Sequence, residues 1–166
     1  MDIILEELVS GLPDKSQLAR LVVRLLAAVI LGAVIGVQRE RTGKAAGVRT
    51  HMLVALGAAL FVLGPIEFGM NSDSVSRVIQ GLVTGIGFLG AGAILKLQEQ
   101  REIEGLTTAA GIWMTAAVGV AVGLGRLGLG LICVMLAWAI LSVIGSIEVQ
   151  MNKKQETKSK GANQER

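Results

Sequence analysis

The sequence predicts an all-α integral membrane protein, a tightly packed bundle of five transmembrane helices. Three observations carry that prediction. Hydrophobic residues make up 52% of the 166-residue chain and charged residues only 17%, which lies outside ordinary soluble composition. Between Thr50 and Ile147 the formally charged side chains are Glu67, Asp73, Arg77, Lys96, Glu99, Arg101, Glu102, Glu104 and Arg126, and they fall in clusters. The uncharged blocks between clusters are each about the length of a bilayer span, roughly 17 to 25 residues.

The first span is expected over Leu21 to Val37, with Arg24 inside it, and the second over Thr50 to Ile66. The third is expected over Val78 to Leu95, a run with no charge and no turn chemistry. Gly105 to Ile147 is interrupted only by Arg126, and one helix there would reach roughly 65 Å, about twice the hydrocarbon thickness. It therefore divides near GLGRLG into spans over Leu106 to Gly125 and Leu127 to Ile147. A β-barrel would need alternating segments of about ten residues, whereas these runs are apolar on both faces.

Five spans place the ends of the chain on opposite sides, and basic residues choose the sides. With the amino terminus outside, the inner side receives Arg39, Arg41, Lys44, Arg49, Lys96, Arg101, Lys153, Lys154, Lys158, Lys160 and Arg166, and the outer side Lys15, Arg20, Arg24, Arg77 and Arg126. Eleven against five favours amino terminus out and carboxyl terminus in. Residues 1–20 read as a short outer amphipathic or loop segment without the features of a cleaved signal peptide. Residues 21–150 form the membrane domain, and the polar, basic residues 151–166 read as a disordered inner tail close to anionic headgroups.

Residues 85–90, GIGFLG, match the dinucleotide-binding pattern G-x-G-x-x-G. That fingerprint requires a preceding strand and a turn, and an uncharged block of span length supplies neither. The glycines read instead as packing surfaces, because helices in lipid associate through close backbone approach at small residues. Gly81, Gly85 and Gly92 share a stripe of the third span; Gly111, Thr115, Gly119 and Gly123 recur every fourth residue in the fourth; Ala28, Gly32 and Gly36 do so in the first.

Catalysis is poorly provided for. One histidine (His51), one cysteine (Cys133) and no tyrosine are present, and no nucleophile stands beside a base at a recognisable spacing. Cys133 reads as a small buried hydrophobe, and His51 as an interfacial or hydrogen-bonded polar residue. A Mg²⁺ path would want carboxylates. Glu67 and Asp73, between the second and third spans, are the acids available on the outer side, and none lies mid-span. Asp73 is the weak metal candidate and reads equally as a cap for the third helix. Arg24 lies deep enough to prefer an acidic partner such as Glu67 or Asp73, with snorkelling to the headgroups as the equal alternative. The first loop, QRERTGKAAGVRTH from Gln38 to His51, reads as a positive-inside anchor or as a docking surface for protein or lipid. No enzyme activity, cofactor or nucleic-acid partner is expected. Membrane lipid is the expected surrounding, with homo-oligomers open.

Three ordered blocks, GAVIGVQRERTGKAAGVRTHMLVALGAALFVL (32–63), RVIQGLVTGIGFLGAGAIL (77–95) and GLTTAAGIWMTAAVGVAVGLG (105–125), resemble the MgtC/SapB family of bacterial inner-membrane proteins. The resemblance implies five helices with the amino terminus outside. It also implies a link to growth in low magnesium or acid stress, to virulence, and to restraint of an F-type ATP synthase through a membrane contact. A small Mg²⁺ or cation transporter is the alternative. Residues matching the family pattern are Arg39, Glu40, Gly47, Arg49, Thr50, Asp73, Gly85, Gly87, Gly90, Gly92, Thr107 and Thr108. The chain departs from that pattern at Gln38, where an acid is common, and in KLQEQREIE (96–104), and the ACT-like domain of many relatives is not expected here.

Overall fold

A computed structural model describes residues 3–4, 14–97 and 102–144. Among the described residues five helices have defined bounds: α1 (Lys15–Arg41), α2 (Val48–Glu67), α3 (Ser72–Gly92), α4 (Leu106–Gly123) and α5 (Leu127–Ala139), the last continuing through a π-turn, Ile140–Ile144. Four of them, α1 to α4, are long and apolar enough to cross a membrane, and Leu127–Val143 is a shorter apolar helix. The sequence-predicted tail and most of the amino-terminal segment lie outside the described residues.

Helix α1 is longer at both ends than the predicted span. Asp14 starts it with a capping box, its carboxylate accepting from the Gln17 N–H at 2.7 Å. That backbone bond, with the Ser16 hydroxyl, holds the Asp14 carboxyl below its usual range. At the other end the helix runs through Gln38–Arg41, so the predicted first loop shrinks to residues 42–47. The charged segment stays helical because its inward face continues the Ala28, Gly32, Gly36 stripe, with Gln38 and Arg39 buried.

Between α3 and α4 the third span was expected to reach Leu95, but the helix stops at Gly92. Leu95–Leu97 instead pairs antiparallel with Glu102–Glu104, Lys96 opposite Ile103. The physical reason is alternation: LKL and EIE carry the period of two that a strand uses and a helix does not. The predicted turn at GLGRLG is present, with Gly125 at φ 79°, a conformation that glycine adopts without a Cβ penalty.

The core joins α1, α2, α4 and α5 through Ala28, Ile35, Ala55, Ala59, Val118, Val122 and Val134. Large apolar groups such as Leu26, Ile30, Leu60, Phe61, Phe88, Trp113 and Leu131 point outward. Small residues inside and large ones outside suit a bundle solvated by lipid, where packing rather than water exclusion holds helices together.

Candidate functional site

The end of the bundle where α1 passes into α2 holds a polar cluster. Five polar or charged residues are buried among those described: Gln38 and Arg39 on α1, His51 on α2, and Thr108 and Thr115 on α4. Glycine brings the three helices close enough for these side chains to meet. A Cβ at Gly32 would lie 2.6 Å from the His51 carbonyl oxygen, and one at Gly36 would lie 2.6 Å from the Val48 Cα.

His51, fully buried, sits with Nδ1 2.7 Å from the Thr115 hydroxyl. Thr115 in turn donates to the Gly111 carbonyl at 2.8 Å. The Thr115 hydroxyl thus lies between the Gly111 carbonyl and Nδ1 of His51. Among the described residues Nε2 has no partner. Gly111 admits the ring: its own Cβ position lies 3.5 Å from the His51 Cε1.

Arg39 is 3% exposed and donates from Nη2 to the Thr108 hydroxyl at 3.0 Å, while its Nε is buried without a partner. Gln38 donates to the Leu141 carbonyl at 3.0 Å. That carbonyl belongs to the π-turn, where the change of helical repeat alters the backbone hydrogen-bond ladder. Glu40, exposed, reaches across to the start of α2 and accepts from the Val48 N–H at 2.9 Å. Its carboxylate lies 2.7 Å from where a Gly47 side chain would begin, so Gly47 makes room for this cap.

The sequence-predicted residues therefore divide. Arg39 and Thr108 meet, as do Glu40 and Gly47, and Gly111 and Thr115 meet at His51. A Cβ at Gly119 would meet the Ala55 carbonyl and Ala58, and one at Gly123 would lie 2.9 Å from the Ala59 carbonyl oxygen. A Cβ at Gly90 would be in ordinary contact, 3.7 Å from that of Ala109. Arg49, Thr50, Asp73 and Thr107 are exposed. A Cβ at Gly81, Gly85, Gly87 or Gly92 would meet nothing within 4 Å, so the contact expected of the α3 stripe is not made among the described residues. Gly81 and Gly85 instead line an apolar cavity of ≈ 440 Å³ with Phe61.

At the opposite end two expectations are corrected. Arg24 donates to the Gly123 carbonyl at 3.3 Å and packs on Gly125, in place of the expected pairing with Glu67 or Asp73. The last turn of α4 offers it a carbonyl outside the helix's own ladder, and a cation suits a helix C-terminus. Asn71, not Asp73, caps α3, accepting from the Ser74 N–H at 2.9 Å. No group of three or more metal-ligating side chains occurs among the described residues.

The sequence reading missed His51 as the centre of the cluster and Gln38 as a tie to α5. His51 carried a signal, since Ala55 and Ala59 follow it at helical spacing on one face; Gln38, two residues after Gly36, carried none.

The MgtC family model matches residues 25–150. The chain is 49% identical over 120 residues to the protein SrpB of Synechococcus elongatus, covering 66% of this chain and 66% of that one. It is 38% identical over 144 residues to YhiD of Escherichia coli (strain K12), covering 82% of this chain and 66% of YhiD, whose name assigns it provisionally to magnesium transport. It is 46% identical over 105 residues to the protein MgtC of Salmonella typhimurium (strain LT2), covering 63% of this chain and 44% of MgtC. The chain thus spans about two thirds of the length of SrpB and YhiD and less than half of MgtC. No solved structure matches it. Its five-helix, glycine-packed membrane bundle and the match over most of its length make the chain a member of the MgtC family.

Proposed function

We propose that this chain is a non-enzymatic component of the bacterial inner membrane that biases another membrane system, an F-type ATP synthase by family resemblance, under magnesium or acid stress. The observation that supports this over transport is the character of the buried polar groups. They are a guanidinium, an imidazole, an amide and two hydroxyls, with no carboxylate among the described residues whose burial is given. A Mg²⁺ ion sheds water reluctantly and wants carboxylate oxygen, and a buried arginine repels it. The orientation that goes with this reading is amino terminus outside and carboxyl terminus inside, with Arg49 on the inner face.

A magnesium transporter is the second reading, favoured by the name of the relative YhiD. One experiment separates the two. Purified chain in liposomes should give no Mg²⁺ flux above empty vesicles, while expression in cells changes ATP level or membrane potential and Arg49→Glu weakens that change. Saturable Mg²⁺ uptake by the liposomes, removed by Asp73→Asn, would reverse the choice.

A further inference from the structure

Buried charges in proteins are paired, because an uncompensated ion in a low-dielectric interior is strongly destabilising. Arg39 breaks that rule among the described residues. It is 3% exposed, its recorded hydrogen-bond partner is the neutral Thr108 hydroxyl, and its Nε is unpartnered. Thr108 is the third residue of α4, so the guanidinium lies against that helix's amino-terminal turn. A helix amino terminus carries partial positive charge on its free N–H groups. The arrangement thus sets a buried cation against the positive end of a dipole.

Arg39 also lies in the last turn of α1, whose carbonyl end favours a cation, but the amino terminus of α4 has no such complement in its cap or first turn. Gly105 caps α4 with no side-chain hydrogen bond, and the first turn has no acid. The preceding helices are treated otherwise. Asp14 caps α1, Glu40 reaches over to the Val48 N–H of α2, and Asn71 caps α3 with Asp73 in its first turn. At α4 the residue that reaches across from α1 is the basic neighbour of Glu40. Convergent N–H donors and a guanidinium fork are the two devices with which proteins hold oxyanions.

We propose that Arg39 and the amino-terminal turn of α4 form a binding site for a phosphate group at the end of the bundle where α1 passes into α2. Two sources share that chemistry: the headgroup of a phospholipid in the adjoining leaflet, and free phosphate from the aqueous side. The site is distinct from any ion path and stands whether the chain regulates or transports.

The test uses the full chain purified in detergent. Inorganic phosphate should raise its Tm saturably, by about 3 °C over sodium chloride of equal ionic strength, and Arg39→Gln should abolish the rise. Native mass spectrometry after exposure to phosphatidylglycerol supplies the lipid arm. Lipid retained by the parent, lost in Arg39→Gln and not displaced by free phosphate would identify the headgroup as the source. Displacement by free phosphate would identify the soluble one. Should Arg39→Gln fail to accumulate, Thr108→Val takes its place, since it removes the hydroxyl that holds the guanidinium and should move half-saturation to higher phosphate or lipid concentration. A parent that responds to neither probe, or variants that respond as the parent does, would overturn the site.

Discussion

Helices α3 and α4 are both rich in glycine, yet they occupy different environments. In the most apolar window of α4, 56% of residues are buried inside the chain, against 11% for α3. Gly119 and Gly123 on α4 face backbone carbonyls of α2 so closely that a side chain would collide with them, whereas Gly81, Gly85, Gly87 and Gly92 on α3 face open space. The difference teaches what a small-residue stripe specifies. It permits close approach, but only a complementary stripe makes that approach occur. Helix α2 offers Ala55, Ala58, Ala59 and Val62 to α4. Toward α3 it presents Phe61, whose ring lines the cavity that holds the two helices apart.

The comparison breaks most visibly at Gly119. Leucine there would press its first carbon into the Ala55 carbonyl and within 2.8 Å of the Ala58 Cβ, and neither atom is the tip of a flexible side chain. Overpacking ordinarily costs about 1–3 kcal/mol, and backbone obstruction puts Gly119→Leu at or above the top of that range. Loss of accumulation, or a large fall in detergent Tm, is the expected result. A Tm close to the parent's would mean that α2 and α4 do not meet here.

A smaller effect is expected at Thr115, where α4 uses its side chain rather than its lack of one. Thr115→Val keeps the shape and leaves the buried His51 Nδ1 without its hydrogen-bond partner. An orphaned buried polar group costs about 1–3 kcal/mol, and partners available to the unfolded chain in the membrane keep the value near the lower end. The Tm of Thr115→Val should fall by a few degrees, and His51→Leu, which removes both halves of the demand, should restore part of the loss when combined with it. Additive losses in the double variant would show that the two residues are not coupled.

These differences explain what the sequence could disclose. The number of helices and the break at GLGRLG were readable because charge is excluded from lipid, so Arg126 marks a helix boundary and Lys96 sets a limit that α3 stops short of, at Gly92. The carboxyl end of α1 was not, because a charged run looks like a loop until a partner helix is there to receive it: Arg39 is buried where Thr108, 69 residues away, accepts from it. The same holds for His51, whose meaning depends on Thr115 on another helix. Arg24 was misassigned because charge alone suggested an acid, while the available acceptor was a backbone carbonyl at a helix end, which no residue type announces. The glycine stripes lay between these cases, visible as stripes and silent about which of them meets a neighbour.

The smallest expected effect is the sharpest probe of that last point. Gly85→Leu replaces a residue whose Cβ would have no neighbour within 4 Å and whose surroundings include a cavity of ≈ 440 Å³. Helix propensity favours the change by roughly 0.8–1.0 kcal/mol, and no carbonyl or side chain opposes it. The Tm of a monomeric preparation in detergent should therefore stay level or rise slightly, in contrast to Gly119→Leu. The same variant should behave alike in bilayers if lipid covers this face. A pronounced loss confined to bilayers, with a smaller assembled species on crosslinking, would mean that the α3 glycines pack after all, against a second copy, and that the open face of the isolated chain is an interface between copies.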